Sequence, residues 1–149
     1  MSKEFHSAEL ILKLYELRRE EKMREARAWF ITFFPESIDD VMKAMIDADT
    51  SAKYRMVTSY WDMAASFVTR GAIDEDMFMD SAGEGIIVFA KIQPFLDELR
   101  TRLGNPRGFR HLEELIMKQP NALEMLAARR EQMKGWMAAR ESMSQSQSN

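Results

Sequence analysis

The stretch Arg70-Gly71-Ala72-Ile73-Asp74-Glu75-Asp76 decides the fold, because it stops one helix and starts the next. Gly71 has no Cβ to clash in the left-handed conformation that closes a helix. Asp74 can cap the following helix through its side-chain oxygen, and Glu75 and Asp76 suit the positive end of a helix dipole. Ile73 and Phe78 stand at the spacing of a hydrophobic staple around that cap. Two helices therefore turn back on each other here.

On the N-terminal side, Ala52 to Arg70 reads as a strong helix. Met56, Tyr60, Met63 and Phe67 fall on one stripe, with Val57, Trp61, Ala64 and Val68 beside it. That stripe is wide enough to be buried on two sides. On the C-terminal side, the helix from Glu75 meets Gly83, Gly85 and Pro94 before ending near Leu103, with Gly104 beyond it. Gly83-Glu84-Gly85 marks a bend, or a place where another helix comes close, since each glycine costs about 1 kcal/mol in a helix interior. Pro94 predicts a kink that is tolerated if the Ala90 carbonyl finds another partner. Asn105-Pro106 reads as an N-cap followed by a first-turn proline, which opens a second hairpin.

Further out, Ser7 is the expected cap of a long first helix over 8–33. Its two apolar ends flank a charged block, Arg18-Arg19-Glu20-Glu21-Lys22-Met23-Arg24-Glu25, in which Glu20 and Arg24 can pair. Such a helix is packed at both ends and bare in the middle, or its N-terminal half leaves the body to meet a partner. Ser37 and Asp40 predict a capping box before a short helix over 38–48. A last helix is expected from Ala122 to about Arg140. The Ser/Gln-rich residues 142–149 are expected to be a disordered tail. The sum is an all-α, irregular bundle of about six helices in a single domain over 1–141, with hairpins around Gly71 and Asn105-Pro106.

Composition sets the outer limits. The chain has 149 residues, 46% of them apolar and 30% charged, a net charge of −3 and no cysteine. That is one domain with a real core. The charge argues against a nucleic-acid binder. Without cysteine there are no disulfides, thiolate nucleophiles or zinc–thiolate sites. No apolar run is long enough to span a membrane and no signal-peptide core opens the chain, so no membrane association is expected and the expected compartment is the cytoplasm.

Candidate sites are few. Asp76, Asp80 and Glu84 share a spacing that suits a metal or acid–base pair, but they read first as a solvated helix start. His111 and Glu114 lack the second half of a di-iron set, and His6 is the one other histidine. Neither a metal nor a cofactor is expected. A metal enzyme using Asp76, Asp80 and His111 is the weakest reading. Arg100, Arg102, Arg107 and Arg110 form the one basic island, beside His111 and a helix start, a workable anion site. Thirteen methionines and three tryptophans, some at helical spacing, are core filling or a docking face. Trp29, Phe30, Phe33 and Trp136 are the candidate partner-binding residues. The expected function is a non-enzymatic helical interaction or regulatory module that self-associates or binds another protein. The alternative is a regulator that binds an anion or small molecule around Arg100–Arg110.

Tyr60-Trp61, Arg70-Gly71-Ala72-Ile73-Asp74-Glu75, Pro94, Arg100 and His111-Leu112-Glu113 together resemble a bacterial all-helical family of unknown function. Its mark is an Arg-Gly-x-Ile-Asp-Glu hairpin turn. The resemblance covers about residues 51–117, with Leu112 in place of an aromatic. It implies an all-helical fold and supplies no activity.

Overall fold

The computed structural model describes residues 2–148. Among them are nine α-helices and no strand: α1 Lys3–Arg18, α2 Glu21–Thr32, α3 Ile38–Ile46, α4 Ser51–Thr69, α5 Glu75–Ser81, α6 Gly83–Ile92, α7 Leu96–Leu103, α8 Arg110–Met117 and α9 Ala122–Ser148. A single 3₁₀ turn, Gln93–Phe95, joins α6 to α7. Among the described residues no helix is long and apolar enough to cross a membrane.

The fold is all-α, and the count exceeds about six because two expected helices are interrupted. The first breaks at Arg19-Glu20. Glu20 is extended and its carboxylate accepts from Met23 N at 3.0 Å, so it caps α2 instead of pairing with Arg24. The backbone N–H groups of Lys22 and Met23 hold its carboxyl below the usual range. The second breaks twice, at Ala82 before Gly83 and at the 3₁₀ turn around Pro94. Ser7 is not a cap: α1 starts earlier, behind Ser2, and the buried Ser7 hydroxyl accepts from Asp74 N at 2.8 Å. Asn105-Pro106 is not a helix start either. The Asn105 side chain accepts from Arg107 N, and α8 begins only after Phe109, which takes a left-handed φ of 59°. The segment 142–148, expected as a disordered tail, continues α9. Serine and glutamine are ordinary helix formers, and no glycine or proline interrupts them.

The Gly71 turn forms as its residues dictate. Gly71 has φ +85°; its N–H donates to Val68 O, and Ala72 N donates to Phe67 O at 2.7 Å. This pair of bonds satisfies the last carbonyls of α4. Asp74 accepts from Met77 N at 3.0 Å, and Ile73 and Phe78 are both buried. Ser37 caps α3 through Asp40 N, while the Asp40 carboxylate reaches back to Glu36 N.

Helix α4 is the hub. It packs against α2, α3, α5, α6 and α8, and α6 in turn packs against α9. The core runs along α4 through Tyr54, Val57, Trp61, Ala64 and Val68, and continues into Phe89, Ile92, Leu112 and Leu126. Gly85 explains the glycine pair in part. A Cβ there would stand 2.7 Å from Trp61 Cε3, so α6 lays bare backbone on the indole.

Two cations, Lys91 buried and Arg130 partly buried, close helix ends across the core. Lys91, 2% exposed, donates from Nζ to Phe30 O at 2.8 Å and Ile31 O at 3.1 Å in the last turn of α2. Its ammonium lies 4.1 Å from the Phe34 ring. Arg130 of α9 donates to Ala90 O at 2.6 Å, the carbonyl that Pro94 leaves without an N–H.

Gly85→Ala should lower stability by about 1–2 kcal/mol in urea unfolding, because overpacking against a fixed indole outweighs the better helix propensity. Burial pushes the Lys91 ammonium down to about 8. Between that value and the ordinary lysine value the unfolded chain binds more protons, so stability rises with pH, by on the order of 3 kcal/mol at most. Burial also raises Tyr60, to about 12, and Tyr54 further, so above about pH 10 the unfolded chain loses phenolic protons that the folded one keeps, and stability falls. The urea midpoint should therefore pass through a maximum near pH 10, and Lys91→Met should remove its rising limb.

Candidate functional site

An opening with several charged and polar groups lies between α4, the last turn of α7 and the turn before α8. Its volume is about 520 Å³. Met45, Leu99, Leu103 and Phe109 make an apolar floor, with Arg55, Arg100 and Arg107 among the polar residues along it. Tyr54 also lines it, at 3% exposure, and its buried phenolic oxygen has no hydrogen-bond partner.

The five residues of the expected anion site part company. Arg100 is committed: its Nε donates to Gly108 O at 2.9 Å and its guanidinium pairs with Glu113 at 3.0 Å. Arg102 pairs with Asp39 and Glu98, each at 3.2 Å. Arg107 lines the groove, whereas Arg110 opens α8 on the surface outside it. His111 Nδ1 lies 2.7 Å from Thr69 Oγ1. The N-terminus of α8 already holds an anion. Asp62, from α4, accepts from His111 N at 3.1 Å and from Leu112 N at 3.0 Å through one carboxylate oxygen. It is the cap that Phe109 cannot supply.

Sequence reasoning passed over Tyr54, Arg55 and Asp62. Their signal was present: Tyr54, Thr58 and Asp62 recur every fourth residue, a polar line on a helix dominated by its apolar stripe. The acids at 76, 80 and 84 are not brought together. Glu84 sits beyond the α5–α6 break and accepts both Arg27 bonds, at 2.9 and 3.1 Å, with Arg18 at 3.8 Å. Among the described residues no three histidine, aspartate or glutamate side chains gather as a metal site requires.

The candidate partner residues divide as well. Phe30 is buried, and Trp29 stacks on Phe33 with ring centroids 5.0 Å apart against the core. Trp136 stands apart at 66% exposure on α9. In α9 only Ala122 and Leu126 are buried, yet the same face runs on through Met133, Trp136, Met137, Arg140 and Met143. With Ile31 of α2 these residues line an open apolar groove of about 660 Å³.

Asp62→Ala should cost about 1–2 kcal/mol, the usual worth of a helix cap, and Asp62→Asn should recover most of it in urea unfolding, since the amide oxygen still accepts.

Against known proteins, no curated protein and no solved structure matches the chain. A family model, that of a domain of unknown function (DUF4760), matches residues 5–119, which takes in nearly all of α1 and the whole of α2 to α8 and stops short of α9. The chain thus belongs to the DUF4760 family, whose activity is unassigned, and α9 is its extension beyond the matched domain.

Proposed function

We propose that this protein is a non-enzymatic helical interaction module that associates with a second copy of itself through the outer half of α9. The carrying observation is the α9 face itself. Trp136 is 66% and Met143 64% exposed, on a stripe continuous with the one that packs on α6. A helix with this little support is marginal alone, and an exposed aromatic and methionine stripe gains by being covered.

Charge complementarity selects the occupant. Arg129 and Arg140 lie on the α9 stripe, so two α9 stripes laid together would bring like charges close. Helix α1 offers two carboxylates next to exposed apolar side chains. Phe5, Leu12 and Tyr15 are exposed on it, with Glu9 and Glu16 beside them and the single cation Lys13 between the two acids. None of Glu9, Glu16, Arg129 and Arg140 makes an ion pair among the described residues. An α9 laid on the α1 of a neighbouring copy covers apolar surface on both and pairs their charges. Two such contacts related by a two-fold axis close a dimer; repeated head to tail they make a ring or filament.

Light scattering after size-exclusion chromatography should show a dimer or larger species at about 100 µM. Trp136→Glu should return the protein to monomer with its helical circular dichroism kept. Arg129→Glu with Arg140→Glu should weaken association about tenfold or more, and adding Glu9→Arg with Glu16→Arg should restore it. A wild-type monomer at that concentration, or association indifferent to Trp136→Glu, defeats the reading. Association that Trp136→Glu abolishes but the charge exchange does not restore moves the occupant from α1 to another surface.

A further inference from the structure

We infer that the groove between α4 and the turn before α8 is a binding site for a small amphipathic anion: a carboxylate or phosphate monoester head on an apolar body. The inference is independent of self-association through α9.

The charges around the groove are mostly spent, and the remainder is positive. The Asp62 carboxylate is engaged by the two α8 N–H groups, and Arg100 is engaged by Glu113 and the Gly108 carbonyl. Arg55 and Arg107 are left. Both line the groove, both are exposed, and neither makes an ion pair among the described residues. Guanidinium groups at the margin of an apolar hollow are the natural seat for a carboxylate or phosphate. A neutral apolar ligand would leave them unused, and an inorganic anion would leave the floor of Met45, Leu99, Leu103 and Phe109 uncovered.

Tyr54 is the second, separate observation. Tyr54 lines the groove, is almost fully buried, and has no partner for its hydroxyl, which lies just beneath the surface. A buried donor without an acceptor costs free energy that a bound oxygen recovers. Burial also keeps that hydroxyl protonated across the physiological range, so it remains a donor. The volume, about 520 Å³, is that of an ordinary small-ligand pocket. Apolar floor, two unspent cations and one unspent buried donor define a ligand with one anionic end.

The test is a titration of the ¹⁵N-labelled full chain, followed by amide chemical shifts, with octanoate, phenyl phosphate and the neutral octanamide. Octanoate or phenyl phosphate should move amides over 54–62 and 107–109, and the tighter of the two identifies the head group. Octanamide should bind at least about tenfold more weakly. Arg55→Ala with Arg107→Ala should weaken the anion by about tenfold or more. Tyr54→Phe should weaken it about threefold or more while the thermal midpoint holds or rises, since the phenylalanine has no hydroxyl to leave unpaired. The inference fails if neither anion shifts these amides at about 5 mM, if octanamide binds as well as octanoate, or if the double arginine variant binds unchanged.

Discussion

The contact between Trp61 and the backbone of α6 at Gly85 sets the rest of the molecule. The indole lies flat enough on the helix that a single Cβ would overlap it. Helix α6 therefore approaches α4 as closely as backbone allows, and its phase is fixed there. Tyr60 and Phe78 meet the indole edge-on, and the Arg18 guanidinium lies 5.2 Å above it. Arg18 is held by Glu84, one residue before the critical glycine. With α6 seated in this way, Lys91 points into the end of α2 and Ala90 presents its carbonyl to α9.

Helix ends in this protein are closed from a distance as often as from nearby. Asp62 of α4 caps α8, Lys91 of α6 closes α2, Arg27 of α2 donates to Arg18 O at the end of α1, and Arg130 of α9 supplies what Pro94 removes. Each exposed or kinked helix terminus has orphan groups, and burial makes them costly to leave unmet. Short helices with frequent breaks produce many such termini. These side chains are thus structural closures that also fix how neighbouring helices meet. Three of them are cations donating to carbonyls; Arg27 also has the Glu84 carboxylate, whereas Lys91 is buried against carbonyls alone and burial holds it below the usual lysine range.

The polar residues that serve the fold are thus distinct from those that do not. The basic island was legible in the sequence as a cluster, but its members have unlike fates. Arg100 and Arg102 are tied to Glu113, Asp39 and Glu98, while Arg107 remains beside the groove with Arg55 and Tyr54. Nothing local could separate them, because the deciding partners lie on other helices. The aromatic residues behave in the same way. Trp29, Phe30 and Phe33 look like Trp136 on the page, yet the first three meet the core at the end of α2 and Trp136 meets solvent. The family match to residues 5–119 agrees with this division, since it covers the packed body and ends before the helix that carries the free face.

What the sequence by itself determined is the set of events that close within one turn of chain. The Gly71 stop, the Asp74 cap, the Ser37–Asp40 cap and the all-helical class depend on hydrogen bonds over three to five residues. Side chains at fixed offsets announce them. Only the tertiary structure decided where the long helices break, which residue caps α8 and which arginines stay unpaired. Glu20 caps locally where an ion pair with Arg24 was equally available, and Asn105 turns the chain where a cap was equally available. Local propensity leaves such choices nearly balanced, and burial against a distant helix settles them, because an unmet polar group inside the core costs more than any preference of the chain around it.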